Sequence, residues 1–229
     1  MKTKTSLLSA AALAAGLLAS QAQSNVYSAN VVGYYNLQPT NNNNFTFIAN
    51  QLDLDGTGTN NTVNSVIGTN LPLNSKILAW NTNSQSFQTI TLLASGWTSG
   101  AAGPTVKQGL QPGYGVIIQI PGSTPTNITV VGNVLQQTNR FPLPTGLQLI
   151  SYPFPIGGGL TSNLNFIPNV NVGSSHDSAE TWNVGLQSYT IHNWLGTQWS
   201  AGDPQLPIGT SFFLKPWQPT IWTNGFVVQ

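Results

Sequence analysis

Short stretches of alternating apolar and polar residues recur along the chain, each closed by Asn, Gly or Pro. Phe45 and Phe47 flank Thr46 before Ile48, and Leu147 and Leu149 flank Gln148 before Ile150. A period of two predicts half-buried strands. Residues 76–80 and 86–90 flank an Asn/Ser-rich turn, which is a hairpin signal. Residues 115–120, stopped by Pro121-Gly122, read as a buried strand, as do residues 211–214, stopped by Pro216. Gly and Pro, with 23 and 15 residues, punctuate the strands throughout. Residues 62–67 are the only stretch that reads as helix, and it is short.

The pattern also repeats, and a repeat outranks single motifs as a guide to architecture. Phe-Thr-Phe-Ile-Ala-Asn-Gln-Leu at 45–52 aligns with Leu-Gln-Leu-Ile-Ser-Tyr-Pro-Phe at 147–154. The same offset pairs Trp80 with Trp182, Gln85-Ser86-Phe87 with Gln187-Ser188-Tyr189, and Trp97 with Trp199. After a short deletion, residues 112–117 align with 208–213. After another, 128–136 align with 221–229, which sets Thr129 against Trp222. The expected fold is all-β, mainly β with at most one or two short helices. It comprises two tandem homologous β-sandwich or open-barrel modules of five or six strands. Residues 25–138 form the first module, N-terminal strand included, and residues 139–229 the second. Residues 136–144, with two prolines and Arg140, read as a linker. Small modules bury little alone, so a shared core is the alternative to two separate ones.

Val31-Val32-Gly33 resembles Val130-Val131-Gly132 at the end of the first module. Two modules thus carry three candidate closing strands. The N-terminal strand either pairs within its own module or adds to a neighbouring molecule, which makes Val31, Val32 and Gly33 a candidate strand-addition segment.

Residues 1–24 carry the features of a secretory signal peptide. Lys2 and Lys4 form a basic start, residues 7–19 an Ala/Leu-rich apolar run, and Ser20, Ala22 and Ser24 offer small residues for cleavage. The apolar run is short for a membrane span, and no later segment resembles one. The expected location is therefore periplasmic, cell-surface or extracellular. Directly after this leader stands Val26-Tyr27-Ser28-Ala29-Asn30-Val31-Val32-Gly33-Tyr34. Further on come the Phe-x-Phe-Ile-Ala-Asn-Gln-Leu strand and the Trp-Asn hairpins with Gln-Ser-Phe or Gln-Ser-Tyr. In these features the chain resembles a group of uncharacterised secreted proteins of Verrucomicrobia and related bacteria. The resemblance implies secretion and a shared module, and implies no activity.

Only 5% of the 229 residues are charged, far below the roughly 25% usual in soluble domains. Surface polarity must come from Asn, Gln, Ser and Thr. Beyond the leader, Lys76, Lys107, Arg140 and Lys215 face five acidic residues. No basic stripe exists to track phosphates, which argues against nucleic acid as partner. The absence of cysteine excludes disulfides and thiolate metal sites.

Candidate chemistry is sparse. His176, Asp177 and Glu180 lie close in sequence, with His192 downstream. If Trp182 pairs with Tyr189 across the hairpin, Glu180 and His192 point to opposite faces, which argues against a dyad. Asp53-Leu54-Asp55-Gly56 resembles part of a calcium loop, with Asp53 and Asp55 as candidate ligands, but no later carboxylate completes it. No other cofactor is expected. Trp194, Trp217 and Trp222 align with Leu92, Pro121 and Thr129, so the repeat does not require them. They are candidates for a glycan-stacking platform. The leading expectation is a secreted non-catalytic structural or interaction protein of the cell envelope or extracellular matrix, self-associating by strand addition or binding another envelope protein. The alternatives are a carbohydrate-binding module and, behind it, a hydrolase.

Overall fold

The computed structural model describes residues 31–226; the expected leader and the start of the Val26 motif lie outside the described residues. The first half runs β1 (Val32–Leu37), β2 (Phe45–Ile48), α1 (Val63–Val66), β3 (Lys76–Asn81), β4 (Ser86–Leu93), β5 (Gly96–Trp97), α2 (Pro104–Gly109), β6 (Val116–Gln119) and β7 (Ile128–Asn133). The second half runs β8 (Gln137–Leu143), β9 (Gln148–Ile150), β10 (Gly158–Gly159), β11 (Ser178–Asn183), β12 (Ser188–Asn193), β13 (Gln205–Leu206), β14 (Phe212–Lys215) and β15 (Thr220–Phe226). Among the described residues the fold is all-β and antiparallel, with two short α-helices and no closed barrel.

Each half is built around one central sheet. The first has the order β2-β6-β3-β4-β5, and the second β9-β14-β11-β12. The hairpins share one register: Trp80 lies opposite Phe87, and Trp182 opposite Tyr189. Both turns end on a glutamine at positive φ, Gln85 and Gln187. Where β5 closes on β4 through Leu92 and Trp97, a single bridge joins Trp194 to Trp199.

Side-chain alternation lets each sheet bury both faces. Ile77 and Ala79 of β3 face the first core, together with Leu37, Ile128 and Val130 from the β1–β7 ribbon and Val66, Val106 and Leu110 from the helices. Their neighbours Leu78 and Trp80 face the other way. They join Phe47, Ile117, Leu149, Phe213 and Trp182 in a cluster between the two sheets. The second sheet rests on its own core, with Phe141, Leu143 and Trp222 from the β8–β15 ribbon. The result is a sandwich of two sheets, each covered outside by a two-stranded ribbon and loops.

Contacts between the sheets are reciprocal. Trp80 Nε1 donates to the Leu147 carbonyl and Trp182 Nε1 to the Phe45 carbonyl, both at 2.8 Å. The Gln85 amide both donates to and accepts from the Leu147 backbone, and Gln187 treats Phe45 in the same way. Ala49 N donates to Gly209 O, and Ser151 N to Gly113 O. Gly115 meets Ser211 where these contacts converge: a Cβ on Gly115 would lie 2.1 Å from Ser211 Cβ. Such mutual pairing is the geometry of a twofold interface, here within one chain.

The structure corrects several expectations. The expected linker at 136–144 contains a strand: β8 pairs along its whole length with β15 and buries Phe141 and Leu143. The second helix, α2, falls within the expected one or two short helices but outside residues 62–67, and Pro at its first turn is its start signal. Among the described residues the halves carry seven and eight strands rather than five or six, because β5, β10 and β13 are two-residue ladders. The alignment of the closing strands is one residue out. Tyr35 pairs with Val130, and Phe141 with Trp222. Trp222 therefore takes the place of buried Val130 rather than of exposed Thr129.

Candidate functional site

The N-terminal strand pairs within its own half, β1 against β7, from Val32↔Asn133 to Leu37↔Ile128. Gly33 sits opposite Gly132, and the glycines leave room for the crossing chain. A Cβ on Gly132 would lie 2.7 Å from Asp53 O, and one on Gly33 would press on Leu52 and Val134. Val134 N donates to Val31 O at 2.7 Å. Alternate pairs in an antiparallel ladder exchange hydrogen bonds, so Gly33 and Tyr35 bond to β7 while the backbones of Val32, Tyr34 and Asn36 face the other edge. No strand among the described residues pairs with that edge.

Of the candidate strand-addition segment, only Val32 faces this edge. Val31 and Gly33 spend their backbone groups on the first half's own ladder. Tyr34 and Asn36, which reasoning from sequence missed, complete the edge. The outer face beside it is apolar: Tyr34 is 76% exposed, Val32 65%, and Val131, opposite Tyr34, 49%.

The corresponding edge of the second half is built differently. Phe141 packs over Gly113 as Tyr35 packs over Gly209, so Thr138, Arg140 and Pro142 stand where Val32, Tyr34 and Asn36 stand in β1. All three are exposed. A charge and a proline are two standard ways of blocking strand addition at an edge, and proline has no N–H to offer. The first-half edge has neither.

Of the three candidate tryptophans, one is buried and two are half-buried. Trp222 is a core residue, 1% exposed, with Nε1 donating to Leu164 O at 2.8 Å. Its ring cannot reach a ligand, and the one-residue slip explains the misreading, because a slip of one exchanges the two faces of a strand. Trp194 is half-buried edge-on against Trp199, in the place of Leu92. Trp217 is half-buried, and its backbone N donates to Asp177.

The candidate calcium loop closes on its own hydrogen bonds. Asp53 is buried and accepts from Gly58 N at 2.8 Å and Asn61 Nδ2 at 3.1 Å. Asp55 accepts from the Thr57 backbone and hydroxyl and from Asn60 Nδ2. The Thr57 and Asn60 donors hold the Asp55 carboxyl below its usual range. Among the described residues, no three His, Asp or Glu come together.

The His/Asp/Glu cluster is dispersed by the strand. Glu180 lies opposite Ile191 and Ala179 opposite His192, so Glu180 and His192 take opposite faces. His192 is buried: Nδ1 donates to Gly202 O at 2.7 Å, and Nε2 shares a hydrogen bond with the Thr181 hydroxyl at 3.1 Å. His176 Nδ1 donates to Ser174 O. Asp177 is fully buried and accepts from Asn169 N, Asn169 Nδ2 and Trp217 N. It pins two loops together. Burial pushes the Glu180 carboxyl up, partly offset by Lys215.

Compared with family models, curated proteins and solved structures, the chain matches none.

Proposed function

We propose that this is an exported, non-catalytic interaction protein, two copies of one module in a single chain, that pairs with a second copy of itself along β1. The observation that carries the reading is the difference between two equivalent edges. In the second half Arg140 and Pro142 block the edge, while in the first half Val32, Tyr34 and Asn36 present six backbone hydrogen-bonding groups that no strand among the described residues pairs with. Two β1 strands laid antiparallel would place Tyr34 opposite the partner's Tyr34. The added ladder would join the two ribbons into one four-stranded sheet with a continuous apolar face. With few charges in the chain, little repulsion opposes this approach. An extended strand from another envelope protein could occupy the same edge. Export is supported by the pattern of residues 1–24 and by the Val26–Tyr34 motif, and the loss of those first residues would be read from the mass of the protein recovered after expression.

The test is size-exclusion chromatography with light scattering over a concentration series. The wild type should move from monomer to dimer as concentration rises. A chain carrying the second half's residues, Tyr34→Arg with Asn36→Pro, should stay monomeric with its fold intact by circular dichroism. A wild type that remains monomeric up to millimolar concentration, or a variant that associates equally well, would overturn the proposal.

A further inference from the structure

A second asymmetry between the halves lies at the end of the first hairpin, away from the β1 edge. A cleft of about 810 Å³ opens there between β3, α2, β9 and the end of β8. Its polar lining includes Asn81, Thr82, Gln108, Tyr114 and Gln148, and four prolines and Leu143 supply apolar wall. No Lys, Arg, His, Asp or Glu lines it. The volume falls within the roughly 300–1,000 Å³ of small-ligand sites.

The matching place beside the second hairpin holds a cleft of about 330 Å³. Asn183 stands there for Asn81, Val184 for Thr82, Thr210 for Tyr114 and Thr46 for Gln148. The two asparagines have a shared structural task. Asn81 Oδ1 accepts from Asn83 N and Ser84 N, and Asn183 Oδ1 accepts from Leu186 N, so each closes its own hairpin turn. Thr82, Tyr114 and Gln148 have no such task in common with the other half. The fold is satisfied by valine and threonines at those positions. The first half has instead gained a hydroxyl, a phenol ring and an amide, and a cleft more than twice the size.

The placement of these groups is orderly. The Thr82 hydroxyl donates to Gln148 Oε1 at 3.2 Å, fixing which end of the buried amide faces it. Tyr114 is held edge-on by Phe141 with ring centroids 4.8 Å apart. The Tyr114 hydroxyl and the Gln108 and Asn83 amides make no side-chain hydrogen bond among the described residues, so donors and acceptors remain for a ligand.

We infer that this cleft binds a neutral oligosaccharide. Uncharged amides and hydroxyls pair with sugar hydroxyls as both donor and acceptor. A half-buried tyrosine ring and proline walls offer apolar surface to the C–H face of a pyranose. A lining without charge disfavours uronic acids, phosphates and acidic or basic peptides. One aromatic ring is few for a proline-rich peptide, whose grooves are lined by several.

The inference can be tested with unlabelled hexasaccharides of β-1,4-glucose, β-1,3-glucose, α-1,4-glucose and β-1,4-xylose, titrated calorimetrically into the whole protein, with a polyproline decamer alongside. At least one sugar should bind. Tyr114→Thr and Gln148→Thr, each copying the second half, should weaken that binding at least tenfold. Gln108→Ala, on the exposed side of α2, should weaken it severalfold without moving the melting temperature, which keeps the test decisive if the other variants unfold. Failure of every sugar to bind, binding indifferent to all three substitutions, or binding of the polyproline probe instead would each overturn it. The oligomeric state has no part in this readout, so this inference and the strand-pairing proposal stand or fall separately.

Discussion

The two halves agree where they meet and differ where they face outward. At their interface Trp80 and Trp182, Gln85 and Gln187, and Gly113 and Gly209 make the same contacts twice. At the ribbon edge and the hairpin cleft, equivalent positions hold different chemistry: Tyr34 against Arg140, Asn36 against Pro142, Gln148 against Thr46. A contact made in both halves is what the fold needs. A group present in one half alone, in a place the other fills with something plainer, is where a requirement beyond folding can show. The comparison therefore acts as an internal control for which side chains to suspect.

The interface gives the largest expected effect. Gly115→Ala would drive a Cβ into Ser211, and overpacking of a closed core should cost about 3 kcal/mol in urea unfolding. Ser211→Gly in the same chain should restore most of the loss; no restoration would mean that the two residues are not the point of contact. Next comes Asp177→Ala. It strands the Asn169 and Trp217 donors in a buried site and should cost about 2–3 kcal/mol. The hydroxyl of its first-half counterpart, Ser75, donates to Pro72 O alone among the described residues, so Ser75→Ala should cost about 1 kcal/mol. Equal losses would break the contrast.

Trp80→Phe and Trp182→Phe each remove one of two donors to a carbonyl, the glutamine amide keeping the other, and should each cost about 1 kcal/mol. The comparison requires the two values to agree, and a difference of more than about 1 kcal/mol would show that the interface is not used equally. The smallest effect is on pH. Partial burial pushes the Asp203 carboxyl up, but donors from Thr161 and Ser162 outweigh it and leave the group below its ordinary value of 3.8. The unfolded chain then takes up that proton first on acidification. The stability Asp203 contributes is present above pH 3.8 and lost as pH falls through its folded value. Glu180 runs the other way. Its carboxyl is raised by burial, so stability falls as pH rises from 4.5 through its folded value. Asp203→Asn should flatten the acid limb of a stability–pH curve, and Glu180→Gln the limb above it.

Much of the architecture was legible because it rests on short-range pattern. Alternation at Phe45–Ile48 and the hairpin around Gln85 are dictated by neighbours in sequence, and the repeat indicated which hairpin positions share a register. The face of Glu180 against that of His192 followed from register alone. The closing strands were harder. Aligning Ile128 with Ile221 suited the letters and put Trp222 on the wrong face, because a strand's burial is decided by its partner and not by its own residues. The supposed linker failed for a related reason: proline and arginine at 140–142 look like a boundary until the strand has an edge to protect.

Strands, turns and the poverty of ionisable groups could be read from the chain directly, since they follow from local periodicity and composition. Which described edges lack a strand partner, which tryptophan lies in the core and which polar residues gather at a cleft emerge with packing. Those outcomes depend on residues far apart in the chain arriving at one place. Gln148 beside Thr82, or Arg140 standing where Tyr34 stands, has no meaning until packing brings the two together.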